Sequence, residues 1–313
     1  MLLSILTPCY NGEAFIRQAI NSVIAQKNPL IEMIVVDDGS TDNTAAILDA
    51  VDHEQIRIIH TDNHGAGAAR NTALSQASGL WTAYLDSDDL YIEGSLSEKV
   101  NAYLEQKADE DVDIICTPRQ QTDMEMKMKP EILYPEEVAD IRHHLPMLEF
   151  WTCIYRTSYL KANKIRFYEY AKQDVETAFR YQAFSKTDKI EVNRDLQFYL
   201  QRINPSSNTH TWNEQTLYSI KALIYYDLFQ NTRIEDDKVF LLETAVDCLF
   251  RYYSLCERDG YQDQETLKEM HGLFKNVHRD QKRYSSELIT QNLLQVKQMD
   301  KGRRRFRSIP PVQ

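Results

Sequence analysis

The chain opens with short apolar runs that alternate with segments of helical spacing. Leu2 to Thr7 is an apolar run brought to a stop by Pro8 and the turn pair Asn11-Gly12. From Glu13 to Gln26, Phe15, Ile16, Ala19, Ile20, Val23 and Ile24 recur three and four residues apart, which predicts a helix. Glu32 to Val36 is a β-branched run ending in Asp37-Asp38-Gly39-Ser40. Thr41 to Val51 reads as a second helix, with Ser40, Thr41 or Asp42 available to cap it. A third strand, Ile56 to His60, leads to a third helix, His64 to Ala77, and a fourth strand, Trp81 to Leu85, ends at Asp86-Ser87-Asp88-Asp89. This rhythm predicts an α/β fold, a mostly parallel sheet with helices on both faces. Ligands on such sheets bind outside the carboxyl ends of the strands. The polar clusters Thr7 to Asn11, Asp37-Asp38 and Asp86 to Asp88 fall at those ends.

Further along, Val112 to Thr117, Phe150 to Tyr155 and Gln197 to Leu200 are strand candidates, and Asp174 to Ala183 reads as helical. The polar, Met- and Lys-rich stretch from Arg119 to Lys129 reads as a mobile loop. After about residue 210 the pattern changes to four helix-length segments: Glu214 to Gln230, Asp237 to Glu257, Gln264 to Val277 and Tyr284 to Met299. The expected organisation is therefore a first domain over residues 1–210 and a C-terminal helical region over 211–313.

Charge and cysteine content narrow the functional classes. Lys plus Arg number 36 against 47 Asp plus Glu, a formal charge of −11, so broad nucleic-acid binding is not expected. The five cysteines are scattered without a CxxC pair, which signals neither a zinc site nor a disulfide framework and fits a reducing compartment. The N-terminus has no basic leader, and no run approaches the roughly 18 apolar residues of a membrane span. The expectation is a cytoplasmic protein. A basic cluster, Lys301 to Arg307, could lean on anionic lipid at the inner face of the membrane. No segment signals a particular oligomeric state.

Three clusters can carry chemistry. Asp86 and Asp88, one residue apart on a loop leaving a strand, can hold a hard cation such as Mn2+ or Mg2+, which in turn can bridge a diphosphate; a solvated acidic turn is the plain alternative. Asp37 and Asp38 can accept hydrogen bonds from a base or ribose, and a carboxylate suits the N3–H of uracil. Asn63 to Asn71 places small residues at a helix start, where backbone and ligand can approach closely, and Arg70 can pair with a phosphate. Gly65-Ala-Gly67 also resembles part of a dinucleotide fingerprint. However, Arg70 stands where its last Gly or Ala belongs, and the motif follows the third strand rather than the first.

Thr7-Pro-Cys-Tyr-Asn11, Val35-Val-Asp-Asp-Gly-Ser-Thr-Asp42, Gly67-Ala-Ala-Arg-Asn71 and Tyr84-Leu-Asp-Ser-Asp-Asp89 occur in this order at close spacing. Together they resemble the nucleotide-binding half of family 2 glycosyltransferases, which have the GT-A fold. The clear match covers residues 1 to about 100, and a looser one runs to about 210. The resemblance implies inverting transfer of a sugar from a nucleotide diphosphate, with Mn2+ or Mg2+. It implies a UDP-sugar donor, a glycan, glycolipid or glycoprotein acceptor, and a setting in bacterial surface polysaccharide assembly. By position Thr7, Pro8 and Tyr10 would line the nucleoside with Asn63, and Asp38 would read the base. Arg70 would face base or phosphates, Asp86 would touch ribose and sugar, and Asp88 would hold the metal.

Members of the family often carry Glu-Asp before a helix, with the Asp as the base that takes the acceptor's proton. Here Gln173 replaces that Glu, leaving Asp174 as the candidate base and Glu176 in reserve. Arg202 and His210 lie on a segment similar to the one after the family's last strand; Arg202 could reach the diphosphate, and His210 could be a metal ligand. Trp151 could stack on an acceptor sugar, or be a core aromatic. Two other readings stay open: a nucleotide-sugar-binding module that has lost the chemistry, for which Gln173 speaks, and an NAD-binding oxidoreductase.

Overall fold

The computed structural model describes residues 1–133, 149–169, 175–204, 213–260, 264–284 and 286–306. The chain divides into two compact units, Met1–Pro205 and Ser206–Gln313.

The first unit begins β1 (Leu3–Cys9), α1 (Ile16–Ile24), β2 (Ile31–Asp38), α2 (Thr44–Asp49), β3 (Ile56–Thr61), α3 (Ala66–Gln76) and β4 (Trp81–Tyr84). β1 lies at the centre, parallel to β2 on one side and to β4 on the other, and β3 continues parallel beyond β2. Every residue of β1 and β4 is buried. Such unbroken runs, without polar alternation, belong to a sheet covered on both faces. The helices supply the cover. The nine residues of α1 are too few to hold a helix in water. Its buried side chains Ile16, Ile20 and Val23 hold it to the sheet, each contributing roughly 2 kcal/mol. None of Ser40, Thr41 or Asp42 is the N-cap of α2. That position is Asn43, and Asp42 instead accepts from the Thr44 N–H at 2.9 Å.

The unit continues with β5 (Leu90–Tyr91), α4 (Glu98–Asp109), β6 (Ile114–Cys116), β7 (Arg119–Thr122), β8 (Met128–Leu133), β9 (Cys153–Arg156), α5 (Thr157–Ala162), α6 (Val175–Phe184), β10 (Ile190–Val192) and β11 (Tyr199–Arg202). The main sheet runs β10-β6-β9-β4-β1-β2-β3, with β9 antiparallel to both its neighbours. This is the α/β, mostly parallel mixed sheet expected from the sequence. A smaller sheet, β5-β11-β7-β8, stands beside the loop that follows β4.

The stretch from Arg119 to Lys129 is a hairpin rather than a mobile loop. β7 pairs with β8 and, on its other edge, with β11. Its glutamines are hydrogen-bonded: Gln120 Nε2 donates to the Lys129 carbonyl at 2.8 Å, and Gln121 to Gln201 at 2.9 Å. Asp123 Oδ1 accepts from the Glu125 and Lys127 N–H groups and closes the turn. Hydrogen-bonded glutamines replace the apolar side chains that mark a strand in sequence.

Beneath the loop after β4 sits an aromatic cluster. Tyr84 meets Phe150, Phe167 and Phe179 edge to face with centroids 5.3, 5.5 and 5.5 Å away, and Phe167 stacks on Phe179 at 4.3 Å. Pairs of this kind contribute about 1 kcal/mol each beyond the area they bury.

The second unit contains α7 (Glu214–Asn231), α8 (Glu235–Asp259), α9 (Gln264–Asp280) and α10 (Glu287–Phe306), close to the four helices expected from the spacing. The Asn213 side chain caps α7 by accepting from the Thr216 N–H. α8 packs against α7 and α10 through a core that includes Leu241, Leu242, Ala245, Leu249, Tyr253, Ile289 and Val296. No helix among the described residues is long and apolar enough to cross a membrane. The side chains of the basic cluster from Lys301 onward lie outside the described residues.

Candidate active site

β1, β2, β3 and β4 run parallel, so their carboxyl ends share one rim of the sheet. That rim receives Tyr10 after β1, Asp37 and Asp38 at the end of β2, Asn63 to Gly65 after β3, and Asp86 to Asp89 after β4. Thr7 and Pro8 are buried within β1, and Thr7 Oγ1 has no hydrogen-bond partner among the described residues, whereas Tyr10 is 50% exposed. Burial pushes the Cys9 thiol up to about 12, so it stays protonated beneath the rim.

Asp38 is 3% exposed, and its two carboxylate oxygens accept from the backbone N–H groups of His64 and Gly65, each at 2.8 Å. It thus ties the β2 tip to the loop that opens α3, and its remaining lone pairs are the ones open to a further donor. The approach is close because position 39 is glycine: its φ is +70°, and a Cβ there would lie 2.7 Å from the Asn63 nitrogen. Asn63 itself is exposed.

The neighbouring Asp37 has a different task. One of its oxygens accepts from the Ser40 N–H and the other faces His60 Nδ1 at 2.8 Å, while His60 Nε2 faces Asp49 at 3.2 Å. A neutral imidazole can donate from only one nitrogen, so the two carboxylates favour the doubly protonated ring. The Asp37 contact, chiefly its hydrogen bond, raises the His60 pKa above 6.5. The stability this ring contributes is therefore complete below pH 6.5 and is lost as pH rises through the raised value. His60→Asn should lower the melting temperature more at about pH 5.5 than at about pH 8.5. Equal losses at the two pH values would show that the ring is not charged in the folded protein.

On the other side of β1, Arg70 of α3 is 5% exposed and lies over the Phe150 and Phe167 rings, 4.8 and 5.2 Å from their centroids. Its Nη2 donates to Asp86 at 2.8 Å, and its Nη1 stands 3.7 Å from Glu176 in the first turn of α6. Burial works against the charge of the guanidinium, and Asp86 and Glu176 more than offset it. Next to Arg70, Asn71 holds Phe167 through both its N–H and its carbonyl, at 2.9 Å each. This fixes the chain shortly before residue 174.

Asp88 faces the opposite balance. Burial first, and then the nearby Asp86 charge, raise its pKa against a backbone hydrogen bond at Asp88 itself, the Arg202 charge and an Asn204 hydrogen bond. Asp86 and Asp88 are the pair that fits a hard cation, since a positive charge would relieve their repulsion. Among the described residues no group of three or more His, Cys, Asp or Glu side chains converges.

Arg202 reaches this pair from the smaller sheet. β11 pairs antiparallel with β5, Leu200 opposite Leu90, and extending that register sets Arg202 level with Asp88. The guanidinium lies 4.8 Å from the Phe15 ring centroid and donates to Gln18 at 2.7 Å. Trp151 is 6% exposed, tilted against Tyr199 at 4.4 Å with Arg119 over it at 5.2 Å. That packing is the core alternative for Trp151 and leaves its ring little surface for a sugar. Asp174 and His210 lie outside the described residues, as does Gln173.

Asp89 and Tyr199, which the sequence reading passed over, meet beside Asp86 and Asp88. Asp89, the last acid of Asp86-Ser-Asp-Asp89, is 5% exposed. It accepts from the Tyr199 hydroxyl and from the Arg202 N–H, both at 2.7 Å. The signal for Asp89 was a fourth polar position in a motif already in view.

Comparison with known proteins gives this arrangement a family. The pattern of glycosyl transferase family 2 matches residues 4–163, just over half of the chain. The uncharacterized glycosyltransferase EpsJ of Bacillus subtilis (strain 168) is 28% identical over 221 residues, which is 66% of this chain and 63% of EpsJ. Poly(ribitol-phosphate) beta-N-acetylglucosaminyltransferase TarS of Staphylococcus aureus (strain Mu50 / ATCC 700699) is 27% identical over 286 residues, which is 86% of this chain and 47% of TarS. The chain thus matches between about half and just under two thirds of the length of these relatives. The crystal structure of S. aureus TarS 1-349 in complex with UDP-GlcNAc aligns with a TM-score of 0.65 at 22% identity, covering 97% of this chain and 92% of that one. At that identity the likeness is one of fold. With the family pattern spanning β1 to β9 and its acidic motifs on one sheet rim, the chain belongs to glycosyl transferase family 2.

Proposed function

We propose that this protein is an inverting glycosyltransferase that moves a sugar from a UDP-sugar to a hydroxyl of a bacterial surface glycan or glycoconjugate, with UDP-GlcNAc the first donor to try. The observation that carries the reading is the rim itself: Asp38, Arg70, Asp86, Asp88 and Arg202 come from four separate segments to one end of the two sheets. The UDP-GlcNAc complex of TarS supports the choice of donor, and the poly(ribitol-phosphate) in the name of TarS supports the choice of acceptor class.

In this reading Asp38, Thr7, Pro8, Tyr10 and Asn63 hold the uridine. Arg70 faces base or phosphates, Asp86 touches the ribose and sugar, and Arg202 faces the diphosphate. Asp88, with Asp86, would hold Mn2+ or Mg2+, which supplies positive charge to the departing diphosphate. Asp174 takes the proton of the attacking hydroxyl as the new bond forms on the opposite face of the sugar, and Glu176 is the reserve. Residues 1–210 form the donor and catalytic domain, and 211–313 a C-terminal helical region.

Thermal shift with UDP-, GDP- and dTDP-sugars, with and without Mn2+, tests the donor. A native-state ligand at a hundred times its Kd should stabilise the fold by about 2.7 kcal/mol. The reading expects a shift for UDP-GlcNAc or another UDP-sugar, enhanced by Mn2+. A shift with NAD alone would favour the oxidoreductase. Asp174→Ala should abolish transfer while leaving that shift in place, and full transfer by this variant would move the base to Glu176.

A further inference from the structure

We propose that Tyr199 and Asp89 are positioning residues that aim the Asp86 and Asp88 carboxylates at the donor; this rests on the reading of that rim as a nucleotide-sugar site. The loop after β4 turns back on itself where the Asp89 N–H donates to the Asp86 carbonyl at 3.0 Å. That single bond closes the turn without fixing how the turn sits against the sheets. The Tyr199 hydroxyl supplies the missing constraint. It accepts from the Asp86 N–H at 3.3 Å and donates to Asp89 Oδ2 at 2.7 Å, so both its roles are spoken for and its proton has one place to be. Asp89 Oδ1 accepts from the Arg202 N–H at 2.7 Å. Asp86, Asp89, Tyr199 and Arg202 thus form a closed bracket around Asp88.

The anchor is rigid. Tyr199 is fully buried at the start of β11, with its ring 4.4 Å from that of Trp151 and 5.8 Å from that of Tyr91. A site held by a packed strand residue keeps its geometry better than one held by a loop. The choice of an acid at position 89 points the same way. A carboxylate buried beside two others is unfavourable unless its bonds require it. Here two donors from different residues each need their own oxygen, which an amide cannot offer at once. Both side chains are closed off from the surface, at 0% and 5% exposure, so they act through Asp86, Asp88 and Arg202 and not by touching substrate.

The test titrates the full chain and its variants with uridine alone, followed by NMR, and with UDP plus Mn2+, followed by calorimetry. Tyr199→Phe should weaken UDP binding in Mn2+ by about 10- to 100-fold, the range for residues that orient metal ligands, while uridine affinity stays within about twofold. Asp89→Asn should show the same split at about tenfold, and it carries the comparison alone if Tyr199→Phe does not fold. Undiminished UDP binding by the variants overturns the proposal. So does a parallel loss of uridine and UDP, which marks a merely structural role. Wild-type protein that binds neither uridine nor UDP is a different failure, since it removes the donor-site reading itself.

Discussion

Asp88→Asn is expected to cut sugar transfer by on the order of a thousandfold, about 4 kcal/mol of lost transition-state stabilisation, while leaving the fold as stable as before or slightly more so. The two halves of this expectation have one cause. Asp88 is held near Asp86 in a partly buried loop, and burial first, then the Asp86 charge, raise its pKa. A raised carboxylate pKa means that the ionised form burdens the native state at neutral pH, a burden that fades only as pH falls through the folded value. Asparagine keeps the shape and removes the charge. A fold that needed only a turn there would gain from the change. Circular-dichroism melts beside a UDP-release assay check both halves. Near-full activity in the variant would remove Asp88 from the metal site. A fall in melting temperature of many degrees would assign it a structural role instead.

The order of the first four strands and three helices was legible because β1, β2 and β4 are largely apolar runs and α1 repeats its apolar residues at helical spacing. β1 and β4 are buried throughout, and the acids that end β2 and follow β4 interrupt their runs abruptly. Legibility fails where the physics is carried by polar side chains. β7 is built on Gln120, Gln121 and Thr122, and its bonds to Lys129 and Gln201 cannot be seen in a hydrophobicity pattern. Helix α4 was passed over because it buries only Asn101 and Leu104, too thin a stripe to stand out.

The site divides along the same line. Which residues gather at the rim follows from strand ends, and so Asp38, Asp86 and Asp88 could be picked out. What each does for its neighbours depends on contacts across the chain. Asp37 and Asp38 look equivalent in sequence, yet one answers His60 and the other the loop of residues 63–65. The partnership of Asp89 with Tyr199 spans 110 positions and leaves no local mark. Trp151 could be read either as sugar platform or as core until its rings and neighbours were known.

Arg70 carries the other large expectation, on stability as much as on activity. Its guanidinium bridges Asp86 and Glu176, whose side chains are 27% and 28% exposed, while its own is 6% exposed. Arg70→Ala removes the guanidinium that stands between those two acids and strips the cover from the Phe150 and Phe167 rings. Breaking a buried pair from one side leaves the other charge without its partner, which costs more than the pair was worth. Because both acids keep some water, the loss should be about 3 kcal/mol, toward the lower end for buried pairs. Arg70→Lys should recover only part of it, since an ammonium cannot reach two carboxylates as a planar fork does. Urea denaturation of both variants measures this. Adding Glu176→Gln to Arg70→Ala should restore part of the lost stability by relieving the facing charges, a coupling the double-mutant cycle reads directly. If Arg70→Ala unfolds at the wild-type midpoint, the guanidinium is not what holds α3, α6 and the Asp86 loop together.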